Sequence, residues 1–270
     1  MTEADLEGRL TNVISGKILV PDTSPSPLTP TPPPSCMVCS GVAFIPLGAH
    51  KGHEIFRCTT CGLCVVHPLP ALEQIADIYE DYASNDLYIV KTKKKVARSR
   101  KRLKRYMHLA KGKRFIDLGC NIGTTVEAAR ELGLDAHGID IDSVSVNTAR
   151  KIFPAGKYHQ GPLETMPADW GPFDFAFFTE VIEHIPDPHA YFEALVPRLA
   201  QGAVLYLTTP DAGHWRVPKR FTDWDQVFPP DHIIYFTKDA MTRFLDQHGF
   251  DVIRFIWSHK PALKVLARKR

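Results

Sequence analysis

Apolar residues follow two rhythms along this chain. From residue 111 onward, short runs that are apolar at nearly every position alternate with stretches whose apolar residues recur three to four apart. The runs at 115–118, 136–140, 157–160, 173–178, 203–207, 251–257 and 261–267 predict seven strands. The run at 173–178 is apolar almost throughout, as expected of a strand covered on both faces. Helices are predicted between them. One opens after Gly123 with Val126, Ala129, Arg130 and Leu132 and closes at Gly133. Another runs from a Ser143 cap through Ile152. A third starts at Asp187-Pro188, with Phe192, Leu195, Val196 and Leu199 inward, and a fourth runs from Thr237 to Gly249. Strands alternating with helices predict an α/β fold with a seven-stranded, mostly parallel Rossmann-like sheet.

The first 110 residues have a different texture. Residues 1–20 carry a weak helical pattern at Leu6, Leu10, Val13 and Ile14, and residues 21–34 hold seven prolines among Ser and Thr, an extended linker. Residues 68–90 begin a connecting helix with Leu72, Ile75 and Ile78-Tyr79 on one face, and Tyr79, Tyr82 and Tyr88 are candidates for an acceptor pocket. Residues 91–114 contain 13 Lys or Arg and no Asp or Glu, with Val96, Leu103, Tyr106-Met107 and Ala110 at helical spacing. They predict an amphipathic helix with a cationic outer face, either solvated beside the pocket or a track for RNA or a phosphorylated ligand. The chain is thus read as a Pro-rich tail (1–35), a small ribbon (36–67), a helical connector (68–110) and a catalytic domain (111–270).

Composition narrows the classes. A chain of 270 residues can bury a sizeable core. It has no run of eighteen apolar residues and no charged-then-apolar leader pattern, so it reads as soluble and cytoplasmic, and its six cysteines as thiols or metal ligands. Cys36-x-x-Cys39 and Cys58-x-x-Cys61 form two knuckles, with Gly41 and Gly62 placed for tight turns. Four thiolates satisfy tetrahedral zinc and leave no position for water, so the zinc role is structural. Cys64 is an alternative ligand; His53 and His67 read as surface residues.

The chemistry begins at Asp117-Leu-Gly119-Cys-Asn-Ile-Gly123, followed by a strand ending at Asp140. Strand, glycine turn, helix, strand, acid is an arrangement that binds a nucleoside: the glycines admit the ligand to the backbone and the acid accepts ribose hydroxyls. A dinucleotide fingerprint needs a third glycine, absent here. The turn instead resembles motif I of the class I S-adenosylmethionine (SAM) methyltransferases, with Asn121 where that family usually has glycine. The resemblance assigns SAM to Asp117, Gly119, Cys120, Asn121, Gly123, Asp140 and Ile141, with Leu163 and Glu164 at the adenine and Thr179 at the end of strand four.

After strand four comes Glu180-Val-Ile-Glu183-His184. If these residues make one helical turn, Glu180, Glu183 and His184 share a face and can hold a divalent cation, Mg2+ or Mn2+, to acidify an acceptor hydroxyl. Glu-x-x-Glu-His resembles the metal motif of ubiquinone-biosynthesis O-methyltransferases. It also resembles that of small-RNA 3′-terminal 2′-O-methyltransferases, whose further ligand is matched by His232 in Asp231-His-Ile-Ile-Tyr-Phe-Thr237. Without a metal, His184 orients the turn or acts as base, and His232 is a further candidate for base or ligand. The loop between Pro210 and Asp231 carries Trp215, Phe221, Trp224 and Phe228 with Arg216, Lys219 and Arg220, suited to clamping a sugar or base, about half of its rings serving as anchors instead. From 36 to 257 the chain resembles bacterial zinc-ribbon SAM methyltransferases of the large family that includes the ubiquinone enzymes. The resemblance implies O-methylation of a small molecule or glycan precursor. The alternatives are RNA 2′-O-methylation and a non-catalytic zinc-ribbon adaptor.

Overall fold

A computed structural model describes residues 31–70 and 92–270. The expectations for residues 1–20, most of the proline run and the helix with Tyr79, Tyr82 and Tyr88 lie outside the described residues. The core is a seven-stranded sheet of β4 (Arg114–Leu118), β5 (Asp135–Asp140), β6 (Lys157–Gln160), β7 (Phe173–Thr179), β8 (Leu199–Pro210), β10 (Phe250–Phe255) and β11 (Ala262–Lys269). Their order is β10-β11-β8-β7-β4-β5-β6, with β11 alone reversed. All seven expected strands are present. β8 begins earlier and ends later than its apolar run, because Leu199 pairs with Phe173 and Thr208-Thr209-Pro210 pair with the start of β11.

Strand β7 shows why its sequence is so apolar. Phe175 and Phe177 point to one face, where they meet Phe115 edge to face at 5.8 and 5.4 Å, while Ala176 and Phe178 join the opposite cluster. On the first face lies α1 (Thr92–Tyr106), which buries Val96, Ser99, Leu103 and Tyr106 and turns most of its lysines and arginines outward. Lys95 and Arg102 are half-buried, Arg102 over the Tyr206 ring at 5.7 Å. Tyr106 stacks on Tyr206 at 5.4 Å, and Ser99 Oγ shares a hydrogen bond with Thr125 Oγ1 of α2 (Thr124–Glu131). Met107 and Ala110 fall beyond the helix and are half-buried. Among the described residues the remaining α-helices are α3 (Ser143–Ile152), α4 (Pro188–Leu195) and α5 (Lys238–Gln247). The cap of α3 is Asp142, not Ser143: its carboxylate accepts from the N–H groups of Val144 and Ser145, a reach that needs the residue just outside the helix.

The cysteine segment forms a second sheet of β1 (Phe44–His50), β2 (His53–Cys58), β3 (Cys64–Val66) and β9 (Ile234–Tyr235). The fourth strand comes from the distant His232 segment, with Cys64 opposite Tyr235 and Val65 opposite Ile234. Thr237 Oγ1 donates to Cys61 O (2.7 Å), Gln247 Nε2 donates to Val38 O (2.7 Å), and His189 Nε2 donates to Met37 O (2.8 Å). These bonds help hold the ribbon to the core, and Thr31–Arg270 form one compact unit. Among the described residues, no helix is long and apolar enough to cross a membrane.

Candidate active site

The carboxyl ends of β4, β5, β6 and β7 open into a cavity of about 860 Å³. Chain geometry at its floor requires two left-handed residues. Gly119 has φ 74, and a Cβ there would sit 2.4 Å from Val181 Cγ2, so no other residue fits. Asn121 takes φ 46 and steadies itself by accepting the Ile122 N–H on its own Oδ1 (2.8 Å). Asp140, at the end of β5, accepts from Asn121 N (2.7 Å) on one oxygen and Asp142 N (3.0 Å) on the other. Burial raises its pKa and these N–H groups oppose the rise. Each oxygen retains a lone pair, so the carboxylate can still accept a pair of vicinal hydroxyls. Asp117 is buried behind the turn and protonates well above the usual carboxylate range because of burial and the neighbouring Asp140. Cys120, Ile141, Leu163, Glu164 and Thr179 also line the cavity. Gly123 does not: it starts α2 at φ 77 under Tyr158, whose hydroxyl would lie 2.6 Å from an added Cβ.

The opposite wall differs from the expected helical turn. Glu180 is left-handed (φ 56), because its N–H is captured by Thr208 O (2.8 Å) while its carboxylate accepts from Thr208 Oγ1 (2.6 Å). Only Ile182–His184 turn helically, as a single 3-10 turn. Glu180 therefore stands apart, and the residues brought together are Glu183, His184 and His232, one ligand atom of each lying within 4.8 Å of the others. His184 Nδ1 donates to Asp231 (O and Oδ1, both 2.9 Å). His232 Nδ1 donates to Gln226 O (2.9 Å), which leaves the lone pair on Nε2, and its ring lies 4.0 Å from that of Phe228. The two imidazoles meet edge to face at 4.7 Å.

These surroundings separate the two histidines. Burial works against a charge on His184, but the Asp231 hydrogen bond and the Glu183 and Asp231 carboxylates outweigh it and raise the pKa. His232 is lowered to about 4, by burial and then by the charge on His184. Glu183 is fully buried; it accepts from Thr209 Oγ1 (2.9 Å) on one oxygen while the other has no partner. Burial, then the charge on Glu180, raise it to about 8. An acid protonated in the fold contributes stability that is full below its unfolded pKa near 4.3 and is lost as pH rises toward 8. Glu183→Gln is therefore expected to raise Tm at pH 8 by several degrees (about 1–3 kcal/mol) and by much less at pH 5. A pH-independent gap in differential scanning fluorimetry would contradict this assignment.

Of the long loop's aromatics, Phe221 and Trp224 are buried against Tyr235 (5.4 and 6.1 Å), Phe228 faces the cavity and Trp215 is exposed. Gln226, Asp231 and Tyr191 join the lining without having been singled out for it; Tyr191 lies flat on Phe178 at 5.2 Å. Asp231 could have been noticed beside His232, whereas Tyr191 reads only as one more helix aromatic.

In the ribbon, Cys36, Cys39, Cys58 and Cys61 place one sulfur each within 4.8 Å of the others. The closest approaches, 3.6 Å (Cys36–Cys61) and 3.5 Å (Cys39–Cys58), are far beyond the ~2.05 Å of a disulfide. Four converging thiols with no open side fit a tetrahedral cation. The left-handed knuckle residues are Ser40 (φ 57) and Gly62 (φ 76); Gly41 is needed instead because an added Cβ would lie 2.8 Å from Thr60 Oγ1. Cys64 is outside the cluster, buried and hydrogen-bonded by Arg57 Nε (3.3 Å).

Residues 88–254 match the family model described as a methyltransferase domain. The ubiquinone biosynthesis O-methyltransferase of Psychrobacter arcticus is 33% identical over 105 residues, covering 36% of this chain and 41% of that protein. Its counterpart in Cereibacter sphaeroides is 26% identical over 167 residues, covering 54% and 68%. The chain thus spans about two fifths of the length of the first of these relatives. Among solved structures, an S-adenosylmethionine dependent methyltransferase from Mesorhizobium loti superposes with TM-score 0.53 at 18% identity, over 63% of this chain and 96% of that one. A magnesium protoporphyrin IX methyltransferase from Synechocystis with bound SAH gives 0.52 at 17%, over 73% and 94%. At such identities they show the fold.

Proposed function

The chain belongs to the methyltransferase-domain family and has its class I, SAM-dependent fold, and from this we propose that it methylates a hydroxyl of a small-molecule or glycan precursor in the cytoplasm. The observation that carries this reading is one cavity with a nucleoside-binding acid at one end and a tuned histidine pair at the other. Its volume is that of a ligand pocket, and the free lone pairs of Asp140 suit a ribose. Asp140 would hold the sugar, Gly119-Cys120-Asn121 the backbone side, and Leu163 with Glu164 the adenine. When bound, SAM supplies an electrophilic methyl group. His232 Nε2, unprotonated at neutral pH, receives the acceptor's hydroxyl proton. His184, kept cationic by Asp231, holds His232 neutral until that step. In the same proposal the four-cysteine cluster holds structural zinc, and the ribbon, connector and catalytic segments divide as the sequence suggests.

A second reading is favoured by the Glu183–His184–His232 cluster: a divalent cation that activates the hydroxyl, on an RNA 2′-position or a small molecule. The Nδ1–H bonds of both histidines leave Nε2 free to face a cation, but the donor set is one carboxylate short of the expected four, since Glu180 stands apart on Thr208. Labelled-methyl transfer and homocysteine-product release, measured across phenolic, glycan and RNA pools, test both readings. Turnover is expected to change less than twofold when Mg2+ is replaced by EDTA; a tenfold loss restored by Mg2+ or Mn2+ would establish the cation mechanism, and absence of any product would remove the enzyme reading.

A further inference from the structure

Outside the cavity, two loops at the same end of the sheet assemble a surface that the reaction does not use. One follows β8 and carries His214, Trp215 and Arg216; the other joins β10 to β11 and carries Trp257, Ser258, His259 and Lys260. Pro210 pairs with Ala262, which places both loops beyond the carboxyl end of β8. Trp215 is 73% and Trp257 78% exposed, unusual for the largest apolar side chain. Neither loop is loose. Arg216 N donates to His214 Nδ1 (3.1 Å), His214 Nε2 donates to Ser258 O (3.2 Å), and Arg216 Nη1 donates to His259 Nε2 (2.6 Å).

The chemistry of this surface selects a ligand. The Trp215 ring already has His214 stacked at 5.5 Å and the Arg216 guanidinium at 5.4 Å, whereas Trp257 has one ring neighbour among the described contacts, His259 at 6.1 Å. One open indole suits one flat ring rather than a run of stacked bases. Arg216 reaches His259, the ring neighbour of Trp257, Lys260 follows in the same loop, and neither residues 212–222 nor 252–268 contain a carboxylate. Sugars are commonly gripped by carboxylates, which these two segments lack, and a cationic ligand would be repelled. A planar group joined to an anion is attracted. The loop that begins at this surface ends in the cavity wall at Gln226, Phe228 and Asp231, so a ligand handle held outside can present its far end inside.

We infer that this surface binds the nucleoside diphosphate portion of a nucleotide-linked acceptor, with the base on Trp257 and the phosphates on Arg216 and Lys260. It rests on the proposed methyl transfer and names the acceptor class. The test uses the zinc-replete full chain with the cofactor pocket saturated by S-adenosylhomocysteine, titrated with UDP, GDP and a single-stranded RNA oligonucleotide and read by calorimetry. Nucleoside diphosphate binding is expected. It should weaken about tenfold in Trp257→Ala, the scale of one base–indole stack, and also in the Arg216→Ala/Lys260→Ala double variant, with homocysteine-product affinity unchanged. Both tests alter exposed side chains. Absence of nucleotide binding, or binding indifferent to both variants, would overturn the inference; so would oligonucleotide binding that is tighter and steeply salt-dependent. Turnover of unlinked acceptors without nucleotide binding would sink this inference and leave methyl transfer standing. Nucleotide binding without turnover would support it and count against methyl transfer.

Discussion

Cys58→Ser/Cys61→Ser is expected to abolish methyl transfer while leaving cofactor affinity within a few-fold of wild type. The cysteines are remote in sequence from the reacting groups, but β9 joins them. Val66 N donates to Ile233 O and Ile233 N donates to Glu183 O, both at 2.9 Å, so the residue after His232 is bonded to the ribbon on one side and to the Glu183 turn on the other. Thr237 reaches Cys61 O directly, and Tyr235 Oη donates to His232 O (2.9 Å). A ribbon this small has little core of its own, and structural zinc contributes roughly 10–16 kcal/mol to folding in comparable peptides. Losing the cluster should release β3, then β9, and with it His232. Asp140 and the Gly119–Asn121 turn belong to β4 and β5, which the ribbon does not pair with. The check is a pair of measurements on the variant and on chelator-stripped protein: metal content with S-adenosylhomocysteine affinity, and turnover. A metal-free protein with unchanged turnover would disprove the coupling.

How much of this was readable beforehand depends on how local each cause is. The glycine turn and β7 were legible because neighbouring residues decide them: left-handed backbone at 119 and 121, and a strand buried on both faces. The helical turn at Glu180 was misread because a distant carbonyl, Thr208 O, claims its N–H and turns the backbone left-handed. β9 was invisible for a similar reason. Two residues, Ile234 and Tyr235, make a strand only because β3 already presents an unpaired edge. The loop aromatics divided as expected, two anchoring and two not, but which two is a matter of packing against Tyr235 that no spacing records.

His232→Ala should lower kcat by about 10²–10⁴-fold, the usual worth of a positioned base, with S-adenosylhomocysteine affinity unchanged within about twofold. Asp140→Ala should do the reverse, losing cofactor affinity first. The pH profile then distinguishes a base from a merely structural histidine. His232 is neutral down to about pH 4, so kcat/KM of the wild type should stay flat below pH 6, where an ordinary histidine would already be protonated. Stability has the opposite cause and a matching window. Between pH 6.5 and 4 the unfolded chain binds a proton at this position that the folded chain refuses, so stability falls as pH falls through that range. Asp231→Asn weakens the hold on the His184 charge, and losing that charge outweighs losing Asp231's own smaller upward pull on His232. The pKa of His232 should therefore rise part of the way, burial still holding it down, and the acid limb of kcat/KM should move upward. If His232→Ala keeps kcat within threefold, or if Asp231→Asn leaves the acid limb in place, proton acceptance must be assigned to another ionisable group of that wall, of which Glu180, Glu183 and His184 are the nearest in sequence to strand β7.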